Sequence, residues 1–580
     1  MINLKRQLAT CVPCILPSCA LQSKWSSIFH ALLLELTFNI ADLPVDSHFP
    51  LTPLSRQDAL EQQVPHLSPC ACACDISLTC SLSLQVTIEE LPTKVLLDIF
   101  RYYLDAFPRF WTRLVHICRK WRHVVFASQR SLHLRLFCTY GTPVLKYLGC
   151  WPSLPIILQY GGTPELDLPT PEDEDNIMAA LKQSDRIISV HLTVTRTLLE
   201  KLSAINRPVS ELEELVLFSR DSPRLTLSNS FGWSARLRVL HLTRIAFFAL
   251  PQLLYSSRRL VDLQLHEVLT PWHFSPEALI DALSGMTQLQ SLSLHVLPTR
   301  TDHPGTPLPM FLPLPISLPS SKCATLPALT CLRFQGITEY LEDLVARIDA
   351  PYLSDIEITF LYTFQPHFSK LNKFINQIEK HKSPRRADIL FSERAISISF
   401  LQPGAPTCLK IQLSGELLSE SEQLFYIGLV CNDLSVFLSD VEDLRISTTR
   451  QSRVEDGLRH RPWPLNSFTG VKWIHVIGNL SAEFVHTLKE DEWRRKTGDV
   501  LLPALHKLYI PQLEPRHAPL SEALVSFMTS RALSGYPIAV EYERRCHISE
   551  LRGAGIIYAK CYDRYSLTRL NRSSSSADND

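Results

Sequence analysis

Six copies of one short pattern decide most of what this chain can fold into. Leu212-Glu-Glu-Leu-Val-Leu217, Leu237-Arg-Val-Leu-His-Leu242, Leu260-Val-Asp-Leu-Gln-Leu265 and Leu289-Gln-Ser-Leu-Ser-Leu294 all spell L-x-x-L-x-L. Leu329-Thr-Cys-Leu-Arg-Phe334 and Leu353-Ser-Asp-Ile-Glu-Ile358 are looser copies. In extended backbone the last two apolar residues of each copy fall on one side, and the residues between and beside them fall on the other. One strand with one apolar face cannot bury that face alone, so the copies must stack on one another. Successive copies start 25, 23, 29, 40 and 24 residues apart. A period of roughly 20–29 residues leaves room for a strand, a helix and two turns. The one long interval contains the proline-rich run PGTPLPMFLPLPISLP, residues 304–319, expected as a loop or extended polyproline segment.

The pattern is that of the strand half of a leucine-rich repeat, and residues 185–385 are read as an α/β solenoid with parallel strands and helices outside. Helices are expected between the strands. Ser275-Pro276-Glu277 caps one that runs through Met286, Glu339–Ile348 is another, and Ser369–His381 is a third. Thr170-Pro171 followed by four acidic residues starts a helix within 137–184, a linker leading to the first helix. The acid side chains suit the positive end of the helix dipole, so they read as a cap and not as a metal site. After residue 385 the pattern degenerates. Val441-Glu-Asp-Leu-Arg-Ile446, Val471-Lys-Trp-Ile-His-Val476 and Leu505-His-Lys-Leu-Tyr-Ile510 are weak copies, and residues 386–570 are a degenerate continuation of the repeat. Long helices are expected over Glu420–Leu438 and Ala482–Arg495. Residues 1–85 show no periodicity and read as a disordered or irregular extension. Residues 571–580 are a low-complexity, disordered tail.

Composition narrows the functional classes. Lys+Arg and Asp+Glu both number 58 in 580 residues. That balance argues against a chain specialised for nucleic acid or an anionic membrane, which usually shows a basic excess. The 16 cysteines are scattered, apart from seven before residue 86, and do not form a regular framework. They suit a reducing interior, cytoplasmic or nuclear, rather than secretion. Cys11-x-x-Cys14 has no second pair, and Cys70-Ala-Cys-Ala-Cys74 is too tight for the usual zinc spacing. No run reaches the ~18–20 apolar residues of a membrane span.

Residues 86–136 differ from everything that follows. Val95, Leu96, Ile99, Phe100, Tyr103 and Leu104 recur at helical spacing. Pro92 suits a first turn, and Pro108 separates a second helix carrying Phe110, Leu114, Ile117, Trp121 and Val125. A unit of about 45–50 residues usually needs a staple or a partner to be stable. The stretch resembles the F-box family. Leu91-Pro92, Leu96-Leu97 and Ile99-Phe100, then Leu114-Val115-His116-Ile117-Cys118-Arg119-Lys120-Trp121, follow the family's LP, LL, IF and L-x-x-V-C-x-x-W. Lys94 stands where the family often has Glu, and Pro108-Arg109-Phe110-Trp111 is an extra segment. The fold class is therefore α/β: a short all-helical F-box-like domain followed by a leucine-rich-repeat-like solenoid, an order similar to the large fungal-type group of F-box proteins.

The resemblance implies a Skp-type adaptor as partner, and through it a cullin and a ubiquitin ligase. Leu91, Pro92, Leu96, Ile99, Leu114 and Trp121 would supply the adaptor contact or the packing beneath it. A target protein would lie on the open face of the repeats, where His241, Gln264, His266, His295, Arg333 and Glu357 point. His266 and His295 hold equivalent positions in neighbouring repeats. Catalysis is not expected, because no phosphate-cradling, dinucleotide, nucleophile-elbow or H-E-x-x-H motif occurs. No cofactor, metal, nucleic acid or membrane is expected either. The expected function is the substrate-receptor subunit of a Skp–cullin–F-box ligase. The alternative is a non-catalytic interaction scaffold with no ubiquitin role.

Overall fold

In a computed structural model, the described residues are 91–542 apart from 152, 162–167, 205–208, 221–224, 228–234, 248–249, 270–274, 297–322, 362–367, 379–383, 403–408, 415–419, 450–462, 464, 478–483, 486–487, 489–500 and 511–517. They all fall within one compact unit, Val86–Asp580. The extension 1–85, the proline-rich run, most of the helix expected at Ala482–Arg495 and the tail lie outside the described residues.

The architecture is mixed α/β, dominated by one sheet of sixteen strands among the described residues. Nine strands lie in chain order: Leu136–Thr139, Ile156–Tyr160, Ile187–Val194, Glu214–Ser219, Val239–Thr243, Asp262–Leu269, Ser291–Val296, Cys331–Gly336 and Asp355–Leu361. All are parallel to their neighbours. Six of them are the L-x-x-L-x-L copies. Their inward residues, from Leu215 and Leu217 to Ile356 and Ile358, are buried, while the residues between them, Ser293 apart, are partly or fully exposed. The residue just before each strand extends the ladder with a repeated backbone hydrogen bond. Arg238 N–H donates to Glu213 C=O, Val261 to Arg238, Gln290 to Val261, Thr330 to Gln290 and Ser354 to Thr330, at 2.7–2.9 Å. Such repetition is what a one-dimensional stack requires, because each unit must satisfy its neighbour's backbone.

The sheet continues after residue 385, with one inversion. Spatially, Asp355–Leu361 is followed by Leu409–Ser414, then Ala395–Leu401, then Arg386–Phe391. Ala395–Leu401 runs antiparallel to both neighbours. The cause is the short turn 392–394, which returns the chain directly, whereas a parallel crossover needs a dozen residues or more. Ser392 closes it, with its N–H and Oγ both donating to the Ala395 carbonyl at 2.8 Å. Asp443–Thr448, Trp473–Ile477, Lys507–Ile510 and Ala539–Tyr542 then add in parallel. The same ladder resumes, from Glu442 N–H to Arg385 C=O through Lys472, His506 and Ala539, at 2.8–2.9 Å.

The region 137–184, expected as a linker and a helix, holds that helix and also supplies sheet. Ile156–Tyr160 lies within it, and Leu136–Thr139 straddles its start. The sheet therefore begins near Leu136, not near 185. These strands lack the L-x-x-L-x-L signature, because residues such as Tyr160 and Cys138 fill the inward positions. The helix Pro171–Leu181 is capped as its sequence suggests. Thr170 Oγ1 accepts from Asp173 N–H at 3.2 Å, and the Asp173 carboxylate accepts from Thr170 N–H at 3.1 Å. Ser275 Oγ accepts from Ala278 N–H at 3.3 Å to start Pro276–Leu283.

The described residues open with three helices: α1 (Thr93–Ala106), α2 (Trp111–Ile117) and α3 (Arg119–Ala127), with a 3-10 turn at Pro108–Phe110. The expected second helix is broken at Cys118, whose backbone is extended (φ −152°, ψ 171°). Its thiol sulfur takes the cap role, accepting from Trp121 N–H at 3.5 Å. The break turns the apolar stripe, so that Leu114 and Trp121 are buried while Phe110 and Ile117 are exposed. Phe100 and Trp121 meet edge to face at 4.7 Å in the centre. The unit is fastened to the sheet. Trp111 Nε1 donates to Arg135 C=O at 2.7 Å, and Arg109 hydrogen-bonds Gln159.

Candidate functional site

The open face of the sheet is built by pleating alone. Cross-strand register aligns one residue per strand into a row: Gln159, His191, Val216, His241, Gln264, Ser293, Arg333, Glu357 and Lys410, then Ser399, Asp388, Arg445, His475, Tyr509 and Glu541. All but Val216 are polar. With strands ≈ 4.8 Å apart, neighbours in such a row interact directly.

The six residues expected to face a target gather into two groups. His241 Nε2 lies 2.8 Å from an Asp262 carboxylate oxygen, and Gln264 Nε2 donates to the same carboxylate at 3.2 Å. One row over, His266 Nε2 lies 2.9 Å from Ser293 Oγ, and the His266 and His295 rings sit 6.3 Å apart. The second group is Arg333 and Glu357, at 3.8 Å, with Lys410 Nζ donating to Glu357 at 2.8 Å. Among the described residues no cluster of three or more His, Cys, Asp or Glu is placed to hold a metal ion.

Partial burial sets the electrostatics. Burial disfavours charge on both His266 and His295 and lowers their pKa values. For Asp262, burial pushes upward, but the His241 hydrogen bond and charge outweigh it and hold the carboxyl below the ordinary range. His191, 3.3 Å away, does the same for Glu214 against burial. Burial lifts the Cys331 thiol to about 11, so it is protonated and unreactive near neutrality.

These shifts predict a pH dependence. An imidazole with a lowered folded-state pKa refuses a proton that the unfolded chain accepts, so stability falls as pH drops below about 6.5. Asp262 and Glu214 add a loss only lower, as pH falls through the carboxylate range near 4. Urea denaturation at pH 7.5 and 5.5 should show a smaller stability loss for the double variant His266→Gln, His295→Gln than for the parent. Equal losses would refute the assignment.

The degenerate end of the open face carries the residues that sequence reasoning passed over. Trp473 is 44% exposed, with Ile477 and Leu390 about as open. The His475 and Tyr509 rings lie 5.5 Å apart. The signal was present, since Val471-Lys-Trp-Ile-His-Val476 obeys the same in-and-out rule as the clear copies.

At the helical unit, four of the six residues expected to supply the adaptor contact or the packing beneath it are core. Leu91, Leu96, Leu114 and Trp121 are at most 2% exposed. Pro92 is exposed and Ile99 partly so. Ile117, Phe107 and Phe110 present further apolar surface, at 39–45% exposure.

Among the described residues no helix is long and apolar enough to cross a membrane. No family model matches the chain, and no match is found among curated proteins.

Proposed function

We propose that the chain is the substrate-receptor subunit of a Skp–cullin–F-box ubiquitin ligase. The helical unit engages a Skp-type adaptor, and the open face of the sheet holds a target protein. The observation carrying this reading is the ordered motif set from Leu91-Pro92 to Trp121 on three short helices, placed ahead of a long, mostly parallel sheet. The chemistry is proximity: a held target has its lysines at high effective concentration near the ligase. Buried Leu91, Leu96, Leu114 and Trp121 shape the unit, and Pro92, Ile99 and Ile117 offer the apolar contact. Burial of those four residues also favours a second reading. Core packing alone accounts for them, as in a scaffold with no ubiquitin role.

Adaptor co-purification with the full chain separates the two. The expected result is stable capture by the parent and at least tenfold weaker capture by Ile99→Glu with Ile117→Glu, at unchanged thermal stability. No capture by the intact parent, or equal capture by the surface variant, would leave the scaffold reading.

A further inference from the structure

We infer that a cleft between the helical unit and the segment after the first strand binds a small aromatic acid. The cleft has a volume of about 510 Å³, within the usual range for small-ligand sites. It lies between α2 and α3 on one side and the end of the helix Val144–Cys150 on the other. This proposal does not rest on the adaptor reading.

Aromatic rings line it. Trp151 packs edge-on to Trp111 at 5.0 Å, and Phe126 and His116 lie 6.2 and 6.3 Å from Trp151. Such a lining favours a flat apolar body, because offset and edge-on ring contacts add to simple burial.

Charge specifies the other end of the ligand. Arg122 reaches the cleft, and its Nε donates to the Val115 carbonyl at 2.8 Å. That bond aims the guanidinium, and among the described residues neither terminal nitrogen has an acceptor. Arg122 and His116 have no acidic partner among the described residues. The surroundings reinforce the preference. Residues 91–151 contain ten Lys and Arg against two Asp and Glu, in a chain of zero net charge. An anchored guanidinium with two parallel N–H groups suits a carboxylate or a phosphate monoester. The ligand class is therefore one aryl body bearing one anionic group.

Cys150 is exposed and lines the same cleft, which provides a local reporter. The test uses the full-length protein with phenylacetate, phenyl phosphate, benzyl alcohol and inorganic phosphate as probes. Affinity is read by calorimetry or ligand-observed NMR. Alkylation of Cys150 and of exposed Cys323 is read by mass spectrometry.

The two aryl acids are expected to bind at least about tenfold more tightly than benzyl alcohol or inorganic phosphate, as one charge-assisted contact implies. They are expected to slow alkylation of Cys150 and not of Cys323. Arg122→Gln should weaken them at least about tenfold, and Arg122→Lys, which keeps the charge, should fall between. The Lys variant keeps the test open if the Gln variant misfolds. Equal affinity for benzyl alcohol, equal affinity for inorganic phosphate, binding without protection of Cys150, or no binding would each overturn the proposal.

Discussion

Trp121→Ala is expected to cost about 3–5 kcal/mol and to melt the helical unit. Trp121 is 1% exposed and meets Phe100 edge to face at 4.7 Å. It also stands beyond the break at Cys118, so it joins α3 to α1. Truncation leaves a cavity that three short helices cannot collapse around without losing the packing of Leu96, Leu114 and Val125. The indole Nε1 has no hydrogen-bond partner among the described residues. Trp121→Phe therefore removes area and also an unsatisfied donor, and should cost well under half as much as Ala. Hydrogen exchange of the amides from Val95 to Val125 checks both variants. Protection unchanged in Trp121→Ala would show that the unit is held by the sheet rather than by its own core.

A second large loss is expected from Gly161→Ala. Gly161 follows the strand Ile156–Tyr160 and has φ +106°, a conformation that residues with a Cβ rarely adopt. A Cβ built there would run into the Thr193 side chain and lie 2.8 Å from the Thr193 backbone nitrogen. Thr193 is fully buried on the next strand, Ile187–Val194, so it cannot swing aside. Strain and overpacking together should cost about 3 kcal/mol or more. Gly141→Ala is the internal control. Its φ is also positive, +68°, but nothing lies within 4 Å of the added carbon. It should cost about 1–2 kcal/mol, the conformational part alone. Denaturant midpoints of the two variants measure the difference. Equal shifts would mean that the close approach to Thr193 contributes nothing.

The open face shows how far reading by pattern reached. The positions of His241, Gln264, His266, His295, Arg333 and Glu357 follow from strand alternation, which is local. The 6.3 Å approach of His266 to His295 also follows, because parallel stacking in register puts equivalent positions side by side. The same rule puts Trp473, His475 and Tyr509 on the open face too, because Val471–Val476 and Leu505–Ile510 are recognisable as weak copies of the strand pattern. At the helical unit, periodicity identified apolar residues without saying which were core. Ile117 and Trp121 are four residues apart and look equivalent on one helix. The turn at Cys118 sends one to the surface and the other to the interior.

The sequence by itself determined the repeated strand, its inward leucines, the period and the Thr170 and Ser275 caps, since each depends on residues within a few positions of one another. Tertiary structure decided the early start of the sheet at Leu136, the reversed strand Ala395–Leu401 and its place beside Leu409–Ser414. It also decided the break at Cys118 and the cleft against Trp151. These depend on which surfaces, distant along the chain, come into register and compete for the same neighbour. An isolated L-x-x-L-x-L copy fixes which side is buried. Only the assembled sheet decides against what.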